Sequence, residues 1–121
     1  VAESIRESRA KLIYVVNIMT KHGETDGYDV GDFVSVIEER VGRPIDAVLY
    51  NTQPVPDRLS EQYKKEHALQ VVASQPLTHW FGVPVLTVAG GLARHDSKKL
   101  AKALTTIIET MVLKQDYART P

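Results

Sequence analysis

An apolar run, Leu12-Ile-Tyr-Val-Val16, stops abruptly at a polar stretch, residues 17–28, which gives way to an amphipathic helical pattern. A short run rich in β-branched residues and closed by polar ones reads as a buried strand. Strand, glycine-bearing loop and helix in that order, repeated along the chain, argue for an α/β fold with a mainly parallel sheet. In an open sheet of this kind, ligands bind in the crevice beyond the carboxyl ends of the strands. Packing does not oblige a loop there to carry an Asn, two Thr, a Glu, an Asp and two Gly. Those groups suit a polar, phosphate-bearing ligand. Gly23 and Gly27 allow close backbone approach and positive φ, and Thr20, Thr25 and the start of the next helix offer donors to an anion. The same residues also suit a capped loop in which Thr25 and Asp26 merely bond backbone amides.

The rest of the chain continues the alternation. Asp29 is a good N-cap for a helix to Val41, whose buried face is Val30, Phe33, Val34, Ile37 and Val41. Gly42 supplies a left-handed C-cap, and Pro44 prevents continuation. Residues 46–50 read as a second strand, residues 57–66 as a short helix launched by Pro54 and Pro56, and residues 69–72 as a third strand, at an edge or short. Residues 74–82 read as irregular, with Trp80 and Phe81 seeking apolar partners, and residues 83–89 as a fourth strand. A turn at Gly90-Gly91 then leads through Arg94-His95 to the longest helix, from Asp96 to about Lys114. Its expected buried stripe is Leu100, Leu104, Ile107, Ile108 and Met111. Residues 2–10 read as a helix end, and residues 115–121 as a frayed tail. The pattern predicts a layered α/β fold with a mainly parallel sheet, and suits a piece of a larger domain. A sheet this thin needs further chain, or copies in a homo-oligomer, to cover its edges. The start at Val1, without a methionine, agrees with that expectation.

Composition removes several function classes. Fifteen basic residues balance fifteen acidic ones, so no net field draws nucleic acid or an anionic membrane. Cysteine is absent, which removes disulfides and thiolate zinc sites. No apolar run approaches the roughly 20 residues of a membrane span, and the charged first residues do not resemble a signal peptide. A cytoplasmic protein is expected. His22, His67, His79 and His95 lack metal-site spacing, and no zinc is expected. Glu24 and Asp26 are a carboxylate pair for magnesium or acid–base work, or else two solvated side chains. Nucleophile-elbow, Walker and Gly-x-Gly-x-x-Gly patterns are all missing, so no catalytic residue is assigned.

Three segments follow strands and are expected to gather at one sheet edge: residues 17–28, 51–56 and 90–96. Asn51 is placed to read a base or sugar, or to stabilise its proline-containing turn. Arg94 is placed to pair with a phosphate, or to satisfy loop carbonyls. Asp96 is most simply the cap of the last helix.

Taken together, Tyr14-Val-Val-Asn-Ile-Met-Thr-Lys-His-Gly-Glu-Thr-Asp-Gly-Tyr28 resembles a signature of the YvcK-like gluconeogenesis factor family. This is a branch of the CofD-like superfamily, related to 2-phospho-L-lactate transferase. Val41-Gly-Arg-Pro44, Glu61-Gln-Tyr-Lys-Lys-Glu66 and Leu92-Ala-Arg-His-Asp-Ser-Lys-Lys-Leu100 agree in order and spacing. The resemblance spans residues 10–110, except for the stretch between Val72 and Gly91, where no residue can be matched. It implies a Rossmann-like three-layer α/β fold with a mainly parallel sheet, residues 1–121 forming the C-terminal part of one larger domain whose glycine-rich nucleotide loop lies near the other end. It also implies a regulatory, non-catalytic protein of cell shape, peptidoglycan synthesis and gluconeogenic carbon metabolism. The expected ligand is a UDP-sugar, UDP-N-acetylglucosamine or UDP-glucose, with no resident cofactor. The alternatives are a CofD-type transferase that uses magnesium to move a phospholactyl group to a deazaflavin, and a structural or interaction module. By position, the resemblance assigns Asn17, Thr20, Gly23, Glu24, Thr25, Asp26 and Asn51 to the nucleotide-sugar crevice. Tyr63 would stack on uracil or sugar, and Arg94 would pair with the diphosphate.

Overall fold

In the computed structural model, the backbone is described for residues 2–119 and the side chains for residues 3–113. Three strands form a parallel sheet in the order β1 (Ile13–Val15), β2 (Ala47–Asn51) and β3 (Trp80–Val83). Val48 faces Tyr14 on one side and Trp80 on the other, and Leu49 faces Val15 and Phe81. The central strand, Ala47-Val-Leu-Tyr-Asn51, is buried at every position except Tyr50, as a strand covered on both faces must be.

The alternation of β2 divides the core. Val48 points into a cluster with Val16, Val30, Phe33, Val34 and Val71, so helix α2 (Val30–Val41) covers that face. Ala47 and Leu49 point the other way, towards Val85 and Ile107, so helix α4 (Ser97–Arg119) covers the second face. Each fully buried Val or Leu contributes about 1.5–3 kcal/mol. The three-layer α/β expectation holds.

Helix α2 begins and ends as its sequence dictates. Asp29 and Asp32 form a reciprocal capping box, each carboxylate accepting the other's backbone N–H at 3.0 Å. Gly42 closes the helix at φ 72°, its N–H donating to the Glu38 carbonyl. Arg43 then donates to the Ser8 carbonyl at 2.9 Å and to the Asp46 carboxylate at 2.8 Å, joining helix α1 (Ala2–Glu7) to the entrance of β2. Helix α3 is Asp57–Lys65, one residue shorter than its pattern suggested.

Four expectations need correction. Residues 69–72 are not a strand of the sheet. They make one antiparallel bridge, Met19 to Gln70, and lie over the first loop instead. Only Val71 of this segment is buried among apolar side chains, while Leu69 and Val72 face outward, too little burial to hold a strand. Residues 80–82, read as irregular, form β3 together with Val83. The expected strand over residues 83–89 is broken at Pro84, which has no N–H to continue a ladder. Beyond it, β4 (Leu86–Ala89) turns back on β5 (Leu92–His95) in an antiparallel hairpin. Gly90 and Gly91 have φ of 60° and 73°, the two positive values a tight two-residue hairpin requires. Finally, α4 continues to Arg119, beyond the expected end near Lys114, and the end of the expected tail, residues 120–121, lies outside the described residues.

Candidate functional site

The carboxyl ends of the sheet are crowded. Val16 N–H, past the end of β1, donates to the Leu49 carbonyl, and the loop of residues 17–28 begins there. Residues 51–56 leave β2, and the β4–β5 hairpin folds over both, burying Leu86 with Ile18 and Val55. The third expected segment therefore reaches the same edge, as half of a hairpin. His95 is tied to it by a 3.2 Å hydrogen bond between Nε2 and the Val16 carbonyl.

Residues 69–72 lace these loops together. Leu69 N–H donates to Thr20 Oγ1 at 2.9 Å, Thr20 N–H to the Leu69 carbonyl at 2.8 Å, and Val71 N–H to the Ile18 carbonyl at 2.8 Å. The Gln70 side chain accepts from Val55 N–H and donates to the Gln53 carbonyl, both at 2.9 Å. An edge-strand reading of this segment hid Gln70. A lone amide in an apolar stretch was the available signal.

Thr20 and Asn51 are the buried polar side chains among the described residues. Asn51 Oδ1 accepts from Gln53 N–H and Val85 N–H, both at 3.1 Å, and its Nδ2 donates to the Gln53 carbonyl at 2.8 Å. Both residues thus bond the scaffold. Gly23 and Gly27 take the left-handed φ of 84° and 74° that bend the loop. Asp26 accepts from His22 at 2.9 Å and from Gly23 N–H at 2.7 Å. The His22 hydrogen bond, then the Gly23 amide, hold its carboxyl below the usual 3.8. Tyr63 Oη accepts from Ala93 N–H at 3.0 Å, fastening α3 to the hairpin. Arg94 is exposed on β5, opposite Thr87.

The remaining expected residues converge. Asn17, Glu24 and Thr25 share the wall of an open cavity of about 650 Å³ with Tyr14, Tyr28 and Arg40. Thr25 Oγ1 accepts from Lys21 N–H at 2.7 Å, which fixes it at the rim, and Glu24 lies 3.6 Å from the Lys21 amine. Half-burial pushes the Tyr14 phenol up. Phe33, Val36 and Ile37 form the floor beside Arg40. These four residues recur at helical spacing, so the periodicity that marked Phe33 and Ile37 as inward also pointed to Arg40. The cavity combines aromatic faces, an amide, a hydroxyl, the Glu24 carboxylate and one guanidinium. It can hold a polar ligand that carries a ring and a negative charge.

The sequence and the fold have clear relatives. Residues 1–89 match the family model described as 2-phospho-L-lactate transferase CofD. The chain belongs to the CofD family. Within it, the chain is 36% identical over 113 residues to the gluconeogenesis factor of Listeria innocua, covering 88% of this chain and 34% of that protein. To the gluconeogenesis factor of Halalkalibacterium halodurans it is 30% identical over 110 residues, covering 86% of this chain and 34% of the relative. A crystal structure of a Bacillus halodurans protein, described as a member of the UPF0052 family, superposes with a TM-score of 0.76 at 28% identity. It covers 84% of this chain and 35% of that one. The resemblance to gluconeogenesis factors therefore stands, and the chain spans about a third of the length of these CofD-family relatives.

Glu24 and Asp26, the carboxylate pair that magnesium would need in a CofD-type transferase, do not converge on a shared point. Asp26 is turned to His22 and Gly23, Glu24 to Lys21, and among the described residues no three His, Asp or Glu side chains converge. No helix among them is long and apolar enough to cross a membrane.

Proposed function

We infer that this chain supplies one wall of a UDP-sugar site in a regulatory protein of cell-shape and gluconeogenic carbon metabolism, and that this wall does no chemistry. The single observation that supports this reading is the cavity where Asn17, Glu24 and Thr25 meet Tyr14, Tyr28 and Arg40. A nucleoside diphosphate sugar needs a flat surface for its base, hydrogen-bonding groups for its sugar and a cation for its phosphates, and the cavity offers each. Thr20, Gly23, Asp26, Asn51 and Tyr63 shape the loops around the ligand. Arg94, exposed on the hairpin, adds a second cation at the same edge.

Calorimetric titration of the full-length protein with UDP-N-acetylglucosamine and UDP-glucose tests the reading. A charged hydrogen bond is worth about 1.5–3 kcal/mol, so Arg40→Ala is expected to weaken binding by roughly 10- to 100-fold. No heat with either sugar, or unchanged affinity in the Arg40 variant, would overturn it. The description of the family model favours a second reading, phospholactyl transfer to a deazaflavin. Incubation of the full-length protein with magnesium, a phospholactyl-nucleotide donor and the deazaflavin acceptor decides between them, since product formation belongs to the transferase alone.

A further inference from the structure

The loop that brings Glu24 and Thr25 to the cavity makes a second contact, which the nucleotide-sugar reading does not use. Residues 18–20 are bonded to residues 69–71 through Ile18, Thr20, Leu69 and Val71. Just past that pairing stand two histidines, His22 on the loop and His67 two residues beyond α3. Their rings stack with centroids 4.8 Å apart and planes tilted by 39°. His67 has a φ of 60°, the one positive value at a residue other than glycine among the described residues. Glycine takes that conformation freely and a residue with a Cβ takes it at a cost, so the ring at position 67 stands against local preference.

His22 also closes a turn. Its Nδ1–H donates to Asp26 Oδ1 at 2.9 Å, since a carboxylate can only accept. The other carboxylate oxygen accepts from Gly23 N–H at 2.7 Å, and Thr25 N–H donates to the Lys21 carbonyl at 2.9 Å. Residues 21–26 are therefore one clamped turn, and Glu24 and Thr25 within it line the cavity. With Nδ1 committed to Asp26, a second proton enters the ring at Nε2 and makes the bond to Asp26 charge-assisted, which is the stronger kind. A proton on His67 as well puts two like charges on stacked rings, which opposes the contact. The other charged groups beside the rings are matched. Lys21 lies 3.6 Å from Glu24, Lys64 lies 3.2 Å from Glu61, and Lys65 and Glu66, next to His67, are of opposite sign. Both histidines are exposed and exchange protons freely with solvent. The His22 hydrogen bond and then the Gly23 amide lower the Asp26 pKa, and charge on His22 and on His67 lowers it further.

We propose that His22 and His67 form a proton-operated latch on this turn, tightest when the two rings hold one proton between them, and that the latch sets how well the cavity binds. Its effect on the ligand rests on the UDP-sugar reading. Histidine ordinarily titrates near pH 6.5. The latch therefore tightens as pH falls into that range and slackens once the second proton arrives.

The test follows the affinity of the full-length protein for UDP-N-acetylglucosamine by calorimetry, from about two pH units above the ordinary histidine value to about two below it. The diphosphate diester keeps its charge throughout. Exposed charge pairs are worth little, so the expected result is a maximum about two- to fivefold above both ends. A rise that continues to the acid end would mean only that a more cationic protein attracts an anion; that result, or a flat profile, would overturn the proposal. His67→Gly, which suits the left-handed backbone, and His22→Gln should each erase the maximum, and its survival in either would also overturn it. The latch is read without ligand from the Thr25 amide resonance. It should move in two steps through the histidine range in the wild type and in one step in His67→Gly. A single step in the wild type overturns the latch. Two steps with no heat from the sugar at any pH support the latch and overturn the UDP-sugar reading alone.

Discussion

Thr20 and Asp26 lie six residues apart in one loop, yet they hold it by different physics. The Thr20 hydroxyl is buried and accepts the Leu69 N–H. Thr20→Val keeps the shape and leaves that amide unpaired, at a cost of about 1–3 kcal/mol. Urea denaturation should show the loss as a lower midpoint with an unchanged slope. Asp26 is exposed, and its depressed pKa comes first from the His22 hydrogen bond and then from the Gly23 amide. A carboxyl whose folded pKa is lowered adds stability above its ordinary value, and that stability is lost as pH falls through the folded value. The Gly23 amide resonance should therefore move in a transition whose midpoint lies below the ordinary 3.8. Asp26→Asn should remove that transition. Both residues stood out in the sequence as polar groups in a loop. Neither could be assigned to ligand or scaffold until Leu69 and His22 had been placed beside them.

At the scale of an element, α4 shows how far periodicity reaches. Ile107 is 2% exposed and packs with Leu49 and Val85, whereas Ile108, in the same expected stripe, is 50% exposed. Ile107→Ala is expected to cost about 2–5 kcal/mol, and Ile108→Ala about 0.5 kcal/mol or less. Thermal denaturation of the pair checks the contrast, and similar losses would mean that Ile108 is covered in solution. The stripe was legible because apolar residues at helical spacing mark a helix that must bury a face. Its width was not, since the sheet offers α4 a face only wide enough for Leu100, Ala103, Leu104, Ile107 and Met111. The segment from residue 69 to residue 89 was read least well. Its short apolar runs fit strand, bridge or hairpin equally, and only the available partners distinguish them.

Across the whole molecule, Asn51 joins parts distant in sequence, holding the end of β2 to the approach to the hairpin through Val85 N–H. Asn51→Leu is expected to cost about 1–3 kcal/mol for each buried donor left unpaired. Hydrogen exchange should speed up first at Val85 and across β4 and β5, while the β1–β2 pairing stays protected. Uniform loss across the sheet would show that the hairpin is not a separate unit of stability. The sequence alone determined the class of fold, the strand–loop–helix order at residues 12–41, the caps at Asp29, Gly42 and Asp96, and the family. All of these rest on local chemistry: β-branched runs, short polar caps, glycine at positive φ and a contiguous signature. Tertiary structure decided which polar groups of the signature face a cavity and which bond the scaffold. It also decided that Arg40 and Tyr14 join Asn17, Glu24 and Thr25, and that Trp80–Val83 forms the edge of the sheet. The physical reason is common to all three outcomes. A hydroxyl, an amide or an edge backbone has a fixed set of bonds to make, and only the folded chain shows whether protein atoms already make them.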